Sequence, residues 1–209
     1  IAKMYPVVRQ VLSPAQRHNL FTPRWRQFIV QLTDPYEKLL EATPIELDGQ
    51  NCFSAVSFAE GRAYLHDVLL RDTDQMSMAH GLETRVPFLD HKLIEYLMTL
   101  PDQYKHRQGT PKALLVDSLS ELLPKEIVHR PKQGFVLPFA IWMRGALRSF
   151  CEERLSRERM LSRGIFEPDE IERCWRAFLQ GSTSVSWSRL WVVIALEEWL
   201  TRNEIMTRW

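Results

Sequence analysis

The stretch Glu167–Gly181, "EPDEIERCWRAFLQG", decides the fold class of this chain. Pro168 stands where a first helical turn has no use for the missing N–H, and Asp169 and Glu170 follow where the helix dipole favours acid. Ile171, Cys174, Trp175, Phe178 and Leu179 recur at helical spacing and make one apolar stripe, which Gly181 closes. A striped helix needs partners, and neighbouring segments share its period. Trp187 to Leu200 is apolar almost all round, which predicts a buried helix. Asp90 is placed to N-cap a helix with the stripe Leu93, Ile94, Leu97 and Met98, stopped by Pro101. Thr110-Pro111 opens another, with Leu114, Leu115, Leu119, Leu122 and Leu123 on one side and Pro124 after it. Thr22–Thr43 carries apolar groups at helical spacing on either side of Pro35. No run of parallel strands, no repeat and no low-complexity segment is visible, so the expected class is mainly α, a bundle-like unit.

Composition agrees with a packed chain. The 209 residues are 45% hydrophobic and 25% charged, which is globular rather than disordered, and they suffice for one large domain or two small ones. A net charge of +1 gives no global pull towards nucleic acid or a membrane surface. The longest apolar run, Leu190–Leu196, is far too short to span a bilayer, and no secretory signal is visible. Cys52, Cys151 and Cys174 are odd in number and widely spaced, so a reducing cytoplasm is expected. The opening at Ile1 in "IAKMYPVV" suggests the middle of a longer protein.

The eight glycines are scattered, no two of them within ten positions of each other. A phosphate-cradling loop needs clustered small residues so that backbone N–H groups close on the anion. A nucleotide site is therefore expected to be completed by sequence that this chain lacks. Asp67, Asp72 and Asp74 do not follow a calcium-loop pattern and no HExxH occurs, so no metal site is assigned, while the lack of a GxSxG leaves a nucleophile-elbow hydrolase without support.

Two stretches carry candidate chemistry. In Ala79–Asp90, "AHGLETRVPFLD", the preceding "DTDQMSMAH" reads as a short helix stopped at Gly81. Pro87 makes Val86 extended, so Glu83 and Arg85 share one face while Leu82, Thr84 and Val86 are expected to face the core. The pair is either a structural ion pair at a helix–strand corner or an oriented carboxylate in a reactive pocket. The second stretch is "IVHRPKQGFVLPFAIWMRG". No acid lies between Glu126 and Glu152, yet His129, Arg130, Lys132, Arg144 and Arg148 do. Lys132, between Pro131 and Gly134, suits a polyphosphate as a compact point charge; a solvated basic face is the plain alternative. Lys112, expected in a first helical turn, opposes the dipole unless an anion joins it there, and otherwise faces solvent.

Read together, Tyr64–Pro101, Gly109–Leu115 ("GTPKALL") and Leu122–Gly145 resemble the C-terminal half of the synthetase domain of glutamine-hydrolysing asparagine synthetases. The resemblance covers 64–145; the helical tail 146–209 is compatible and the first fifty residues hold no motif. It implies the helical C-terminal portion of an α/β ATP-pyrophosphatase domain of the adenine nucleotide alpha hydrolase-like kind, with the parallel sheet largely absent. It also implies ATP and Mg2+ as cofactors, and aspartate, ATP and glutamine-derived ammonia as substrates. In the family, aspartate attacks the α-phosphate of ATP, giving a β-aspartyl adenylate and pyrophosphate, and ammonia then displaces AMP. Glu83 matches the acyl-transfer glutamate, with a general-base or electrostatic role. Lys132 matches the lysine that stabilises charge on the transferring phosphate and pyrophosphate. Arg85 and Asp90 match flanking positioning residues, and Asp90 also serves as an N-cap. Lys112 matches a recurring lysine, and Arg130 joins it as a candidate binding or positioning group.

The family's Ser-Gly-Gly-x-Asp-Ser loop, its Gly-x-Gly-x-Asp-Glu segment and its N-terminal cysteine nucleophile are not in these 209 residues. The resemblance thus implies a fragment, inactive alone, whose partners are a glutaminase domain and the ATP-binding segments. Neither nucleic acid nor membrane is expected as a partner. Two other readings share these residues: a related adenylating amidotransferase or cyclase acting on another carboxylate, and a non-catalytic helical module.

Overall fold

The computed structural model describes residues 5–32, 52–119, 122–131, 134 and 137–205. They are mainly helical, with no strand among them and two isolated bridges, Phe21 to Phe166 and Arg107 to Thr110. The chain divides into two units. The first comprises Ile1–Arg9 and Asp34–Gln133, the second Gln10–Thr33 and Gly134–Trp209. The helical reading of Thr22–Thr43 holds for Pro23–Val30; 33–43 lies outside the described residues.

The second unit contains an extensive hydrophobic core. The Pro168–Leu179 helix starts at its proline and buries Ile171, Trp175 and Phe178. It stops as its glycine requires: Gly181 takes φ 80°, its N–H donates to Phe178 O at 3.1 Å, and Ser182 N–H donates to Ala177 O at 3.0 Å. Met143, Cys151, Met160, Leu190, Val193 and Ile194 complete the core around that stripe. Ser13 and Gln16 form a reciprocal capping box that starts the Pro14–Leu20 helix. Beyond it, Thr22 N–H donates to Ile165 O at 3.0 Å and Glu167 N–H to Leu20 O at 2.8 Å, which seats Leu20 in the core.

The Trp187–Arg202 helix corrects the expectation of an element apolar and buried all round. Leu190, Val193, Ile194 and Leu200 are buried, but Val192 and Trp199 are exposed. Glu197 is inside instead, 2% exposed. Arg163 Nε donates to its two oxygens at 3.0 and 3.2 Å, and Arg159 approaches to 3.5 Å. Arg163 also reaches the carbonyl of Ile205 at 2.5 Å. A buried carboxylate with such partners holds the Arg157–Arg163 helix to the last one, and this pairing overrides hydropathy in choosing the inner face.

The first unit has a thinner core, in which Ala55, Ala59, Ala63 and Ala113 supply most of the buried apolar side chains. Its helix Cys52–Glu60 runs into a π-helix, Gly61–Leu70, and on into Arg71–Met78. π-Helical runs are rare, and nothing in the periodicity of "GRAYLHDVLL" announces this one. Asp102 fastens the start of the run. Its carboxylate accepts from the N–H groups of Phe53 at 2.7 Å and Ser54 at 3.1 Å, and from the Ser54 hydroxyl. Lys105 Nζ donates to the same hydroxyl at 2.6 Å. Burial pushes the Asp102 carboxyl up, but these hydrogen bonds and the Lys105 charge outweigh it and hold it below the usual value. At the other end of Cys52–Glu60, Arg9 pairs with Glu60 and lies 4.1 Å over the Tyr64 ring.

Glu197→Ala removes the carboxylate that the half-buried Arg163 and Arg159 hold and lowers stability by about 1.5–3 kcal/mol in urea titrations. Because the folded pKa of Asp102 is depressed, its contribution is complete above the unfolded value of about 3.9 and is lost as pH falls through the lower folded value. In thermal melts across the acid range, Asp102→Asn flattens that loss.

Candidate active site

The segment from Leu82 to Asp90 is held at both ends. The preceding Arg71–Met78 helix stops as expected: Gly81 takes φ 68°, its N–H donates to Met78 O at 3.0 Å, and Leu82 N–H donates to Ser77 O at 3.0 Å. Pro87–Leu89 forms a 3-10 turn, and Asp90 caps the His91–Thr99 helix by accepting from Lys92 N–H at 3.0 Å and Leu93 N–H at 3.3 Å. Between these anchors the backbone is irregular.

Glu83 and Arg85 do meet. Arg85 Nη2 lies 2.7 Å from Glu83 Oε1, with the two side chains 83% and 69% exposed respectively. The expectation that Leu82, Thr84 and Val86 face the core is wrong: all three are exposed, Leu82 at 64%. The unit buries alanines more than large side chains, so no apolar layer lies beneath this segment among the described residues. The stripe of His91–Thr99 is thinly covered for the same reason, with Leu93 and Ile94 exposed.

The other candidates are spread out. Lys112 is not in a first helical turn. It precedes the Ala113–Ser118 helix in a left-handed conformation, φ 54°, because the turn through Gly109 pairs Arg107 with Thr110 before the helix begins. That helix stops short of Leu119, Leu122 and Leu123. Arg107 grips Asp117 with two hydrogen bonds of 3.1 and 2.9 Å, a tie the sequence reading missed because charge alone does not select one partner. Arg130 is exposed after the Lys125–Val128 helix, and Lys132 lies outside the described residues.

The acid-free stretch is less free of partners than its sequence suggests. Arg144 donates through Nε and Nη2 to the Phe178 carbonyl at 3.1 and 3.0 Å, stacked 4.2 Å over the Phe178 ring. Arg148 pairs with Glu152 at 2.8 Å. Asp67 contacts His66 Nδ1 at 2.7 Å, and no group of three or more His, Cys, Asp or Glu suited to a metal converges among the described residues. The three cysteines are free, and burial pushes the Cys151 thiol up, away from nucleophilic use. No helix among the described residues is long and apolar enough to cross a membrane.

The asparagine synthase family model matches residues 7–201. This chain belongs to the asparagine synthase family. Asparagine synthetase [glutamine-hydrolyzing] 1 of Bacillus subtilis is 36% identical over 84 residues, covering 40% of this chain and 13% of the relative. The glutamine-hydrolysing asparagine synthetase of Gallus gallus is 49% identical over 75 residues, and that of Homo sapiens 47%, each covering 34% of this chain and 13% of the relative. The shared stretch is thus a small part of each relative's length. No solved structure matches the chain significantly.

The helix cap and the exposed ion pair of this segment are expected to contribute differently to stability. Asp90→Ala removes a helix cap and costs about 1 kcal/mol in urea denaturation. Glu83→Gln breaks an exposed pair and changes stability by less than about 1 kcal/mol.

Proposed function

We propose that this chain contributes part of the catalytic surface of an ATP-dependent asparagine synthetase. The whole enzyme adenylates the side-chain carboxylate of aspartate and transfers glutamine-derived ammonia to it, releasing AMP and pyrophosphate. The observation that carries the proposal is the Glu83–Arg85 pair, displayed on a segment pinned by Gly81 and by the Asp90 cap. A pair so exposed adds little stability, so its geometry is better explained by what approaches it.

In this reading ammonia attacks the acyl carbon of the adenylate, the new C–N bond forms, and the bond from that carbon to the phosphate oxygen breaks as AMP leaves. Glu83 accepts the proton lost by the attacking nitrogen, and Arg85, 2.7 Å away, holds the carboxylate in place. Asp90 positions both by fixing where the next helix begins. Lys132 acts as a point charge that offsets negative charge on the phosphate and pyrophosphate. Arg130 and Lys112 are exposed cations that bind or position the same anions.

The described residues do not fit a Mg2+ site, since no ligand group converges among them, and the scattered glycines form no triphosphate cradle. No step here runs through the metal. On this proposal those functions come from the remainder of the synthetase, and the chain alone is inactive.

The test grafts this chain in place of the matching stretch of the Bacillus subtilis relative. Glu83→Gln is expected to lower amide formation by about 10²–10⁴-fold while aspartate-dependent ATP–pyrophosphate exchange persists. Lys132→Ala should weaken the exchange itself. Undiminished amide formation in Glu83→Gln removes the base role, and strong exchange by the isolated chain overturns the proposed incompleteness.

A further inference from the structure

We propose that the second unit carries a binding pocket for a small aliphatic carboxylate, formed without Glu83 or any other residue of the first unit. A cavity of ≈ 240 Å³ opens between the Pro14–Leu20, Pro168–Leu179 and Trp187–Arg202 helices. Leu20, Ile171, Leu190 and Val193 line it, and all four are buried core residues, so the apolar part is preformed by packing rather than by a loop.

Its rim holds cations in two different states. Arg173 is paired with an acid: Nε and Nη2 donate to the Glu170 carboxylate at 2.7 and 2.6 Å, and that carboxylate also accepts from the Cys174 thiol at 3.6 Å. Glu170 is therefore committed elsewhere and is not paired with Arg189. Arg189 donates through Nη1 to the Ser184 carbonyl at 2.5 Å, which orients the guanidinium, and it has no carboxylate partner among the described residues. It also sits in the first turn of Trp187–Arg202, where no acid offsets the helix dipole. Its charge is unfavourable there until an anion joins it.

An oriented guanidinium with N–H groups to spare recognises a carboxylate, and the apolar cavity beside it accepts a short branched hydrocarbon tail. Isovalerate is the simplest molecule with both parts. Isovaleramide keeps the tail without the charge, and acetate keeps the charge without the tail. Cys174 lines the same cavity and reports occupancy, because Cys151 is buried and Cys52 can be replaced by serine.

Calorimetry on the intact chain is expected to show saturable millimolar binding of isovalerate. Isovaleramide, acetate and the Arg189→Gln variant should each bind about tenfold more weakly or worse, the loss appropriate to a charge-assisted contact or to the apolar tail. In the Cys52→Ser chain, isovalerate should slow alkylation of Cys174, a readout that stands even if Arg189→Gln fails to fold. Absence of saturable binding, equal affinity for isovaleramide, or unprotected Cys174 overturns the proposal.

Discussion

Glu197 is the constraint around which the better-packed unit is arranged. It lies on the same face of its helix as Leu190, Val193, Ile194 and Leu200, in the middle of an otherwise apolar stripe. Turning that stripe inward takes a carboxylate out of water, which is tolerable only with cations at hand. Arg163 and Arg159 come from one neighbouring helix, and Arg154, from another, pairs with the adjacent Glu198 at 2.8 Å. The last helix is thereby held in a single rotation, with Trp199 outside and Phe139 stacked on Trp187 at 4.9 Å.

The other unit uses a carboxylate in the same way on a smaller scale. Asp102 gathers backbone and hydroxyl donors from the start of the Cys52–Glu60 helix, joining segments far apart in sequence where alanines provide little apolar area. Glu83 differs from both. It has Arg85 as its ion-pair partner and is mostly exposed, so most of its acceptor capacity is open. That contrast separates carboxylates that organise the fold from one that faces solvent.

Much of this was legible from residue order. The Pro168–Leu179 helix, the Gly181 and Gly81 stops, the Asp90 cap and the meeting of Glu83 with Arg85 are local, set by partners within six residues. The family resemblance was legible too, because it rests on contiguous motifs. What escaped was not local. Leu82 and Val86 were expected inside because alternation gives two faces but does not say whether a layer lies beneath either. Lys112 was expected in a helix because the turn pairing Arg107 with Thr110 has no periodic signature.

Sequence alone determined the helical class, the helix stops, the shared face of Glu83 and Arg85, and membership of the asparagine synthase family. Each follows from short-range sterics, backbone hydrogen bonding or contiguous motif. Tertiary structure alone decided that Glu197 is inside, that Arg144 serves the Phe178 carbonyl, that Leu82 is exposed, and that Arg189 stands at the mouth of a cavity with no carboxylate partner among the described residues. Those outcomes depend on which charges and surfaces meet after folding. Long polar side chains can reach several partners, and only the packed chain selects among them.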